Sequence, residues 1–237
     1  MIYLIDNSSN TKIPASHYQL GTIDDVVKYC EDKKVLGVDT VTEGFDFTCK
    51  KMIMFQIGDK DNQFIIDTRN IDIKPLKDIL ECRDIIKIFH NAKFDYKFIK
   101  KWANITCEGI YDTFLVELVI SCGKNLGYGL KDLCQRYLNV ELNKEVRNLF
   151  IGLTGQPFSA DQIVYGAKDV EYLCKIKELQ QPIIDKVLAF LVFILSNFFH
   201  SSVSKSKPLY SISANANTAL FSKSITFSNL CLFIIGS

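Results

Sequence analysis

The stretch Val35-Leu-Gly-Val-Asp-Thr-Val-Thr-Glu-Gly-Phe45 decides how this chain is read. Apolar residues lead into Asp39, and Gly44 follows soon after. The pattern predicts a buried strand that delivers one carboxylate at its end and then turns. A carboxylate taken out of water is costly unless it is paired or meets a cation. Taken alone, the stretch fits equally well a strand-end Asp held by a backbone amide. Two later segments separate the readings.

The flanks of this strand predict a mixed α/β sheet. Residues 2–5 and Tyr18-Gln-Leu-Gly21 read as short strands of an edge hairpin. Thr22 caps a helix over Ile23–Lys33, with Asp24 and Asp25 in its first turn. Lys51–Gly58 and Gln63–Asp67 are apolar runs joined by Asp59-Lys-Asp-Asn62, which is hairpin chemistry. Ile73–Glu81 reads as a helix and Ile85–Phe89 as a buried strand. Three neighbouring strands, a helix and a further strand make a mixed sheet rather than a parallel one. From Ala92 the pattern turns helical. Thr113–Cys122 is an apolar helix capped by Asp112, and Gly129–Leu138 is another. Ser159 opens a helix with Gln162 three residues on, a capping box, and that helix runs to about Leu179.

The totals narrow the class. In 237 residues, 48% hydrophobic and 23% charged, the chain is globular, and its net charge of +1 announces no global affinity for nucleic acid. Any basic footprint is local. The eight cysteines include no Cys-x-x-Cys pair and read as core thiols of a reducing compartment. The N-terminus shows no signal peptide, so a cytoplasmic location is expected. After Asp185 there is no Asp, Glu or Arg. The apolar run Val187–Phe199 is shorter than the ~20 residues of a membrane span, so no membrane partner is expected. The chain therefore divides into a domain over 1–186 and an apolar, Ser-rich tail over 187–237 that is foreign to the domain and poorly packed.

The second deciding segment is His90-Asn-Ala-Lys-Phe-Asp95, after a buried strand and at a helix start. Its plain reading is a strand-to-helix turn with Asn91 as cap. Its functional reading places Asp95 at the rim of the sheet, facing the same crevice as Asp39, since open α/β sheets bind ligands at the carboxyl ends of their strands. The third is Tyr165-Gly-Ala-Lys-Asp169 within a helix. Tyr165 and Asp169 are four apart and share one face. Asp is a poor helix former, yet here it sits among apolar neighbours.

In that order, on strand, turn and helix, the three segments resemble the DEDD superfamily of 3′–5′ exonucleases, in its Tyr-bearing branch. The likeness covers about residues 18 to 180 and is nearest to the proofreading domain of bacterial and phage family A DNA polymerases, with RNase D a sister. Tyr111-Asp-Thr-Phe114 and Gly129-Leu-Lys-Asp-Leu133 add to it. The resemblance implies a ribonuclease-H-like fold, a five-stranded mixed sheet flanked by helices. It implies two divalent cations, Mg²⁺ or Mn²⁺, ~4 Å apart, hard ions that prefer carboxylate oxygen and water. Asp39 would bridge both, Asp169 would help hold the water-activating ion and Asp95 the second, with Tyr165 orienting the attacking water. The substrate implied is a single-stranded or frayed 3′ end of DNA, with RNA as the alternative. The setting implied is a bacterial or phage-infected cell, with the polymerase part absent from this chain.

One residue departs from the family. Its first motif is Asp-x-Glu, and the Glu position here is Val41, which has no lone pair to offer a metal. Glu43 would share a face with Asp39 on a continuing strand, but Gly44 predicts that the chain is already turning. A natural inactive copy, a sequence error and an engineered knockout each explain Val41; the tail favours a truncated or decayed copy. Three functions therefore stand: an impaired DNA exonuclease, an RNase D-like exoribonuclease, and an inactive nucleic-acid-binding module. Phe45 is placed to wedge against the terminal base, or else to pack the turn, and Leu142 is a weaker partner wedge. Thr40 and Asn91 are candidate substrate contacts. Lys93, Lys97, Lys100 and Lys101 spread round one helix, mostly as a solvated face. Lys144 and Arg147 are candidate phosphate ligands, and His90 is read as structural.

Overall fold

The computed structural model describes residues 1–7, 18–124, 126–142, 146, 149, 150, 153 and 155–203. Contacts divide the chain into two units, Met1–Gln181 and Pro182–Ser237.

The first unit is built on a seven-stranded mixed sheet. Its strands are β1 (Ile2–Ile5), β2 (Gln19–Leu20), β3 (Val35–Thr42), β4 (Met52–Gly58), β5 (Gln63–Asp67), β6 (Ile86–Phe89) and β7 (Ile110–Asp112). They lie in the order β2-β1-β5-β4-β3-β6-β7. β3, β4 and β5 form the expected antiparallel meander, and β6 and β7 add in parallel beyond β3. The sheet thus exceeds the expected five strands by two. β1 runs parallel along β5, burying Leu4 and Ile5, and β2 runs parallel along β1. The hairpin expected of residues 2–5 and 18–21 is therefore absent: a parallel pair needs a crossover rather than a tight turn.

The α-helices among the described residues are α1 (Ile23–Glu31), α2 (Lys77–Glu81), α3 (Ala92–Ala103), α4 (Thr113–Ile120), α5 (Leu130–Leu133) and α6 (Ala160–Val203). Thr22 and Asp25 form a reciprocal capping box at α1, and Ser159 and Gln162 do the same for α6. Phe55, Ile57, Leu36 and Val38 face a core completed by α1, α2 and α3. The other face of the sheet packs Met54, Ile53 and Ile65 against Ile163 and Ala167 of α6. Of the described cysteines, Cys30, Cys107, Cys134 and Cys174 are buried free thiols, and burial pushes each up to about 12. They are core residues without nucleophilic character at neutral pH.

Two boundaries differ from expectation. β3 continues past Asp39 to Thr42, because β-branched Val41 and Thr42 keep pairing with Met54 and Met52. α6 continues past Leu179 to Val203, with Pro182 inside it. Residues 187–203 contain no Gly or Pro to stop a helix. Phe190, Leu191, Val192, Phe193 and Leu195 of the second unit are exposed. The rest of the tail, 204–237, lies outside the described residues. Among the described residues no helix is long and apolar enough to cross a membrane.

Candidate active site

Asp39 sits within β3, opposite Gln56 of β4. Alternation along the strand puts Gly37, Asp39 and Val41 on one face and Thr40 on the other. Thr40 is buried, and its hydroxyl donates to Asp95 Oδ1 at 2.6 Å. Asp95 lies in the first turn of α3 and is only 2% exposed. Its burial, and then the charge of Asp39, push its pKa well above the usual carboxylate range, while the Thr40 hydrogen bond pulls the other way. Adjacent residues of one strand thus serve two helices on opposite faces of the sheet.

On the Asp39 face, α6 comes closest where the chain carries no side chain. A Cβ on Gly37 would stand 2.9 Å from the Val170 carbonyl oxygen, and one on Gly166 would stand 3.1 Å from Gln56 Nε2 and Met54 Sδ. These two approaches hold against β3 and β4 the turn of α6 that carries Asp169, itself buried. Tyr165, one turn earlier, packs with Val41 on the apolar cluster of Ile53, Met54, Phe150 and Phe158. The Tyr165 ring centroid is 6.2 Å from that of Phe150. The strand of Asp39 and the helix of Tyr165 thus share one apolar cluster, which Val41 and Tyr165 both join. The ladder shifts register between Val41 and Thr42, a bulge at this same position. Bulges gather beside active sites because they re-aim side chains.

Glu43 is engaged elsewhere. Its backbone and carboxylate exchange hydrogen bonds with the Lys51 backbone at 2.9 and 3.0 Å, closing the mouth of the 43–51 loop. Among the described residues no three His, Cys, Asp or Glu side chains gather as a group able to hold a metal. Asp39 and Asp95 nevertheless suit a cation: Asp95 is out of water and is held by the hydroxyl of the residue next to Asp39. Such a set fits a hydrated Mg²⁺ or Mn²⁺, which takes one or two carboxylates and fills its other positions with water and phosphate oxygen.

The motif-two turn is held by a residue that the sequence pointed to only as the cap of α4. Asn91 adopts a left-handed conformation (φ 62°) and makes no side-chain cap. Instead Asp112 accepts the Asn91 and Ala92 N–H groups at 3.0 and 2.9 Å. It also accepts those of Phe114 and Leu115, at the start of α4, at 3.0 and 3.4 Å. One buried carboxylate caps both helices. His90 Nδ1 lies 3.0 Å from Thr113 Oγ1, and burial lowers its pKa.

Phe45, Phe47, Phe94 and Phe98 wall a cleft edged by Asn91, Lys93 and Lys97. Phe45 is 80% exposed, with its ring 6.2 Å from that of Phe94. Leu142 packs instead with Leu133, Cys134 and Ile176 and does not line this cleft. Lys144 and Arg147 lie outside the described residues. Phe47 was not singled out from sequence; the signal was the pair of aromatic spacings, Phe45-x-Phe47 and Phe94 with Phe98 one helical turn on.

Compared with known proteins, residues 17–185 match the 3′–5′ exonuclease family of the kind found in family A DNA polymerases. The chain belongs to this 3′–5′ exonuclease family. Ribonuclease D of Sphingobium indicum is 29% identical over 128 residues, which is 53% of this exonuclease chain and 32% of the relative. DNA polymerase I of Aquifex aeolicus is 28% identical over 145 residues, 61% of this chain and 23% of that protein. The chain thus spans about a third or less of these two relatives. The structure of Brucella melitensis NrnC with bound Mg²⁺ superposes with a TM-score of 0.57 at 19% identity, covering 90% of this chain and 98% of NrnC. The fold of the exonuclease is accordingly ribonuclease-H-like, with two strands added at one edge.

Proposed function

We propose that this chain is built to hydrolyse nucleotides from the 3′ end of single-stranded or frayed DNA, using two divalent cations, Mg²⁺ or Mn²⁺, held by Asp39, Asp95 and Asp169. The observation that carries the reading is the placing of buried Asp95 on the hydroxyl of Thr40, next to Asp39, with the Asp169 turn of α6 pressed on the same strand. Bound cations would lower the pKa of a water and offset charge on the reacting phosphate. The chain's own groups do the rest. Thr40 fixes the Asp95 carboxylate by its hydrogen bond. Asp112 fixes the turn from which Asp95 projects. Tyr165 would orient the attacking water; a phenol with pKa ~10 holds a hydrogen bond at neutral pH rather than acting as a strong base. Phe45, exposed at the cleft, offers a face for the terminal base, and Asn91 edges the same cleft.

Val41 weakens this machinery. It gives no ligand, and Glu43 is tied to the Lys51 backbone. The missing stabilisation is on the order of several kcal/mol. The likeness to DNA polymerase I supports the DNA substrate and a polymerase part outside this chain. A second reading, RNA as substrate, is favoured by the likeness to ribonuclease D.

The test is digestion of 5′-labelled single-stranded DNA and RNA with Mn²⁺, for this protein beside Val41→Glu and Asp39→Ala. Val41→Glu is expected to give a 3′–5′ ladder about a hundredfold faster than the parent, equivalent to ~2.7 kcal/mol, and Asp39→Ala none. Faster loss of RNA than DNA moves the assignment to the second reading. If no folded variant digests either strand, the exonuclease proposal fails and a non-catalytic binding module takes its place.

A further inference from the structure

β4 carries an amide that the machinery above does not use. Gln56 stands opposite Asp39 in the β3–β4 ladder, and Met54 stands opposite Val41. Side chains two apart on a strand share a face. For Gln56 and Met54 it is the face that meets α6: a Cβ on Gly166 would stand 3.1 Å from both Gln56 Nε2 and Met54 Sδ. Val41 packs on the cluster that contains Met54, so it lies on this face too. Gln56 Nε2 donates to Met54 Sδ at 3.2 Å. The amide therefore leans along β4, from the Asp39 pair towards the Val41 pair.

This is a poor place for an amide. The other β4 side chains, Met52, Ile53, Met54, Phe55 and Ile57, are apolar. Gln56 has no exposed surface. Its donor is spent on a thioether, a weak acceptor, and its Oε1 has no hydrogen-bond partner among the described residues. A buried polar group so placed costs free energy that an apolar side chain of the same shape would not.

We propose that Gln56 is a positioning residue for the second oxygen ligand of motif one: its Nε2–H is the donor that orients a carboxylate at position 41, and Val41 leaves that donor on a thioether. A carboxylate there would take the bond from Met54 Sδ, a charge-assisted bond out of water, and keep its second oxygen for a cation. The need for a carboxylate at position 41 rests on the 3′–5′ exonuclease reading; the idle donor rests on the β3–β4 ladder and its contact with α6.

The test is a double-mutant cycle in urea, with EDTA present so that no metal enters the readout. Gln56→Met keeps the length of the side chain and removes the donor. In the parent it is expected to leave the unfolding midpoint unchanged or raise it, because an ill-matched amide is lost. In Val41→Glu it is expected to lower the midpoint. In Mn²⁺ it is expected to slow digestion by Val41→Glu about tenfold, as for one hydrogen bond to a charged group, and to raise the Mn²⁺ concentration at half-maximal rate. Val41→Gln, whose oxygen accepts the same bond without a charge beside Asp39, goes through the same urea cycle in case Val41→Glu does not fold, and the same sign is expected. An equal fall in midpoint in every background would show an amide that only fills the core and would overturn the proposal. So would midpoints of both position-41 variants that Gln56→Met leaves unmoved. If the cycle shows coupling while folded Val41→Glu digests nothing, the Gln56 donor stands and the exonuclease reading falls. If Val41→Glu digests and the cycle shows no coupling, the reverse holds.

Discussion

Lys87 shows how strongly single positions are constrained near this site. It lies in β6, three residues before His90, with no exposed surface. Its ammonium donates to the carbonyls of Ile79 and Cys82, yet burial still pushes its pKa down to about 8. In the unfolded chain it returns to ~10.4. The folded pKa is the lower one, so below pH 8 the folded state carries the full penalty of a buried charge. That penalty is relieved as pH rises from about 8 towards the unfolded value. Relative to Lys87→Met, the parent should gain roughly 2–3 kcal/mol between pH 7.5 and 10, at ~1.4 kcal/mol per unit, read from urea midpoints at a series of pH values. Parallel stability curves for the two proteins would show that Lys87 does not lose its proton on folding. At this scale the sequence was informative about type and less so about direction. The motifs offered three aspartates as candidates, and the structure adds that Asp95 and Asp169 are buried. That Thr40 turns away from Asp39 to hold Asp95 follows from strand alternation combined with a tertiary contact, and only the second half was hidden.

At the scale of elements, the site depends on how closely α6 and α3 are drawn to the sheet. Gly37 lets α6 reach β3 at a distance no Cβ tolerates, and Gly166 lets it reach β4 at one that would crowd a Cβ. Gly37→Ala should force Val170 outward and destabilise the protein by about 1–3 kcal/mol, the usual range for overpacking. Because the displaced turn carries Asp169, the same change in a Val41→Glu background should also lower digestion. Unchanged thermal unfolding and activity would mean that the helix shifts without consequence. Asp112 is the corresponding tie for α3. It caps two helices, and each lost cap is worth ~1–2 kcal/mol. Asp112→Ala should therefore lower stability by about 3 kcal/mol in chemical denaturation, where the loss of a single cap would give half as much. The helix starts at Thr22 and Ser159 were legible because their partners lie three residues away. The cap of α3 was not, because its carboxylate arrives from a strand twenty residues later.

At the scale of the molecule, the three neighbouring strands and the further strand of a mixed sheet were legible, since hairpin residues and apolar runs agreed; that β6 pairs with β3 was not. The two strands added at the β5 edge were legible as strands but not in direction, which no local pattern fixes. The length of α6 was missed because a change in composition was read as the end of a helix, whereas only a breaker or a cap ends one. The sheet also finishes in a particular way: its outermost members are β2, with two residues, and β7, with three. A passing chain in search of free amide and carbonyl groups finds too short a row on either flank to settle into register. Growth of the sheet by accretion is thereby discouraged at both ends.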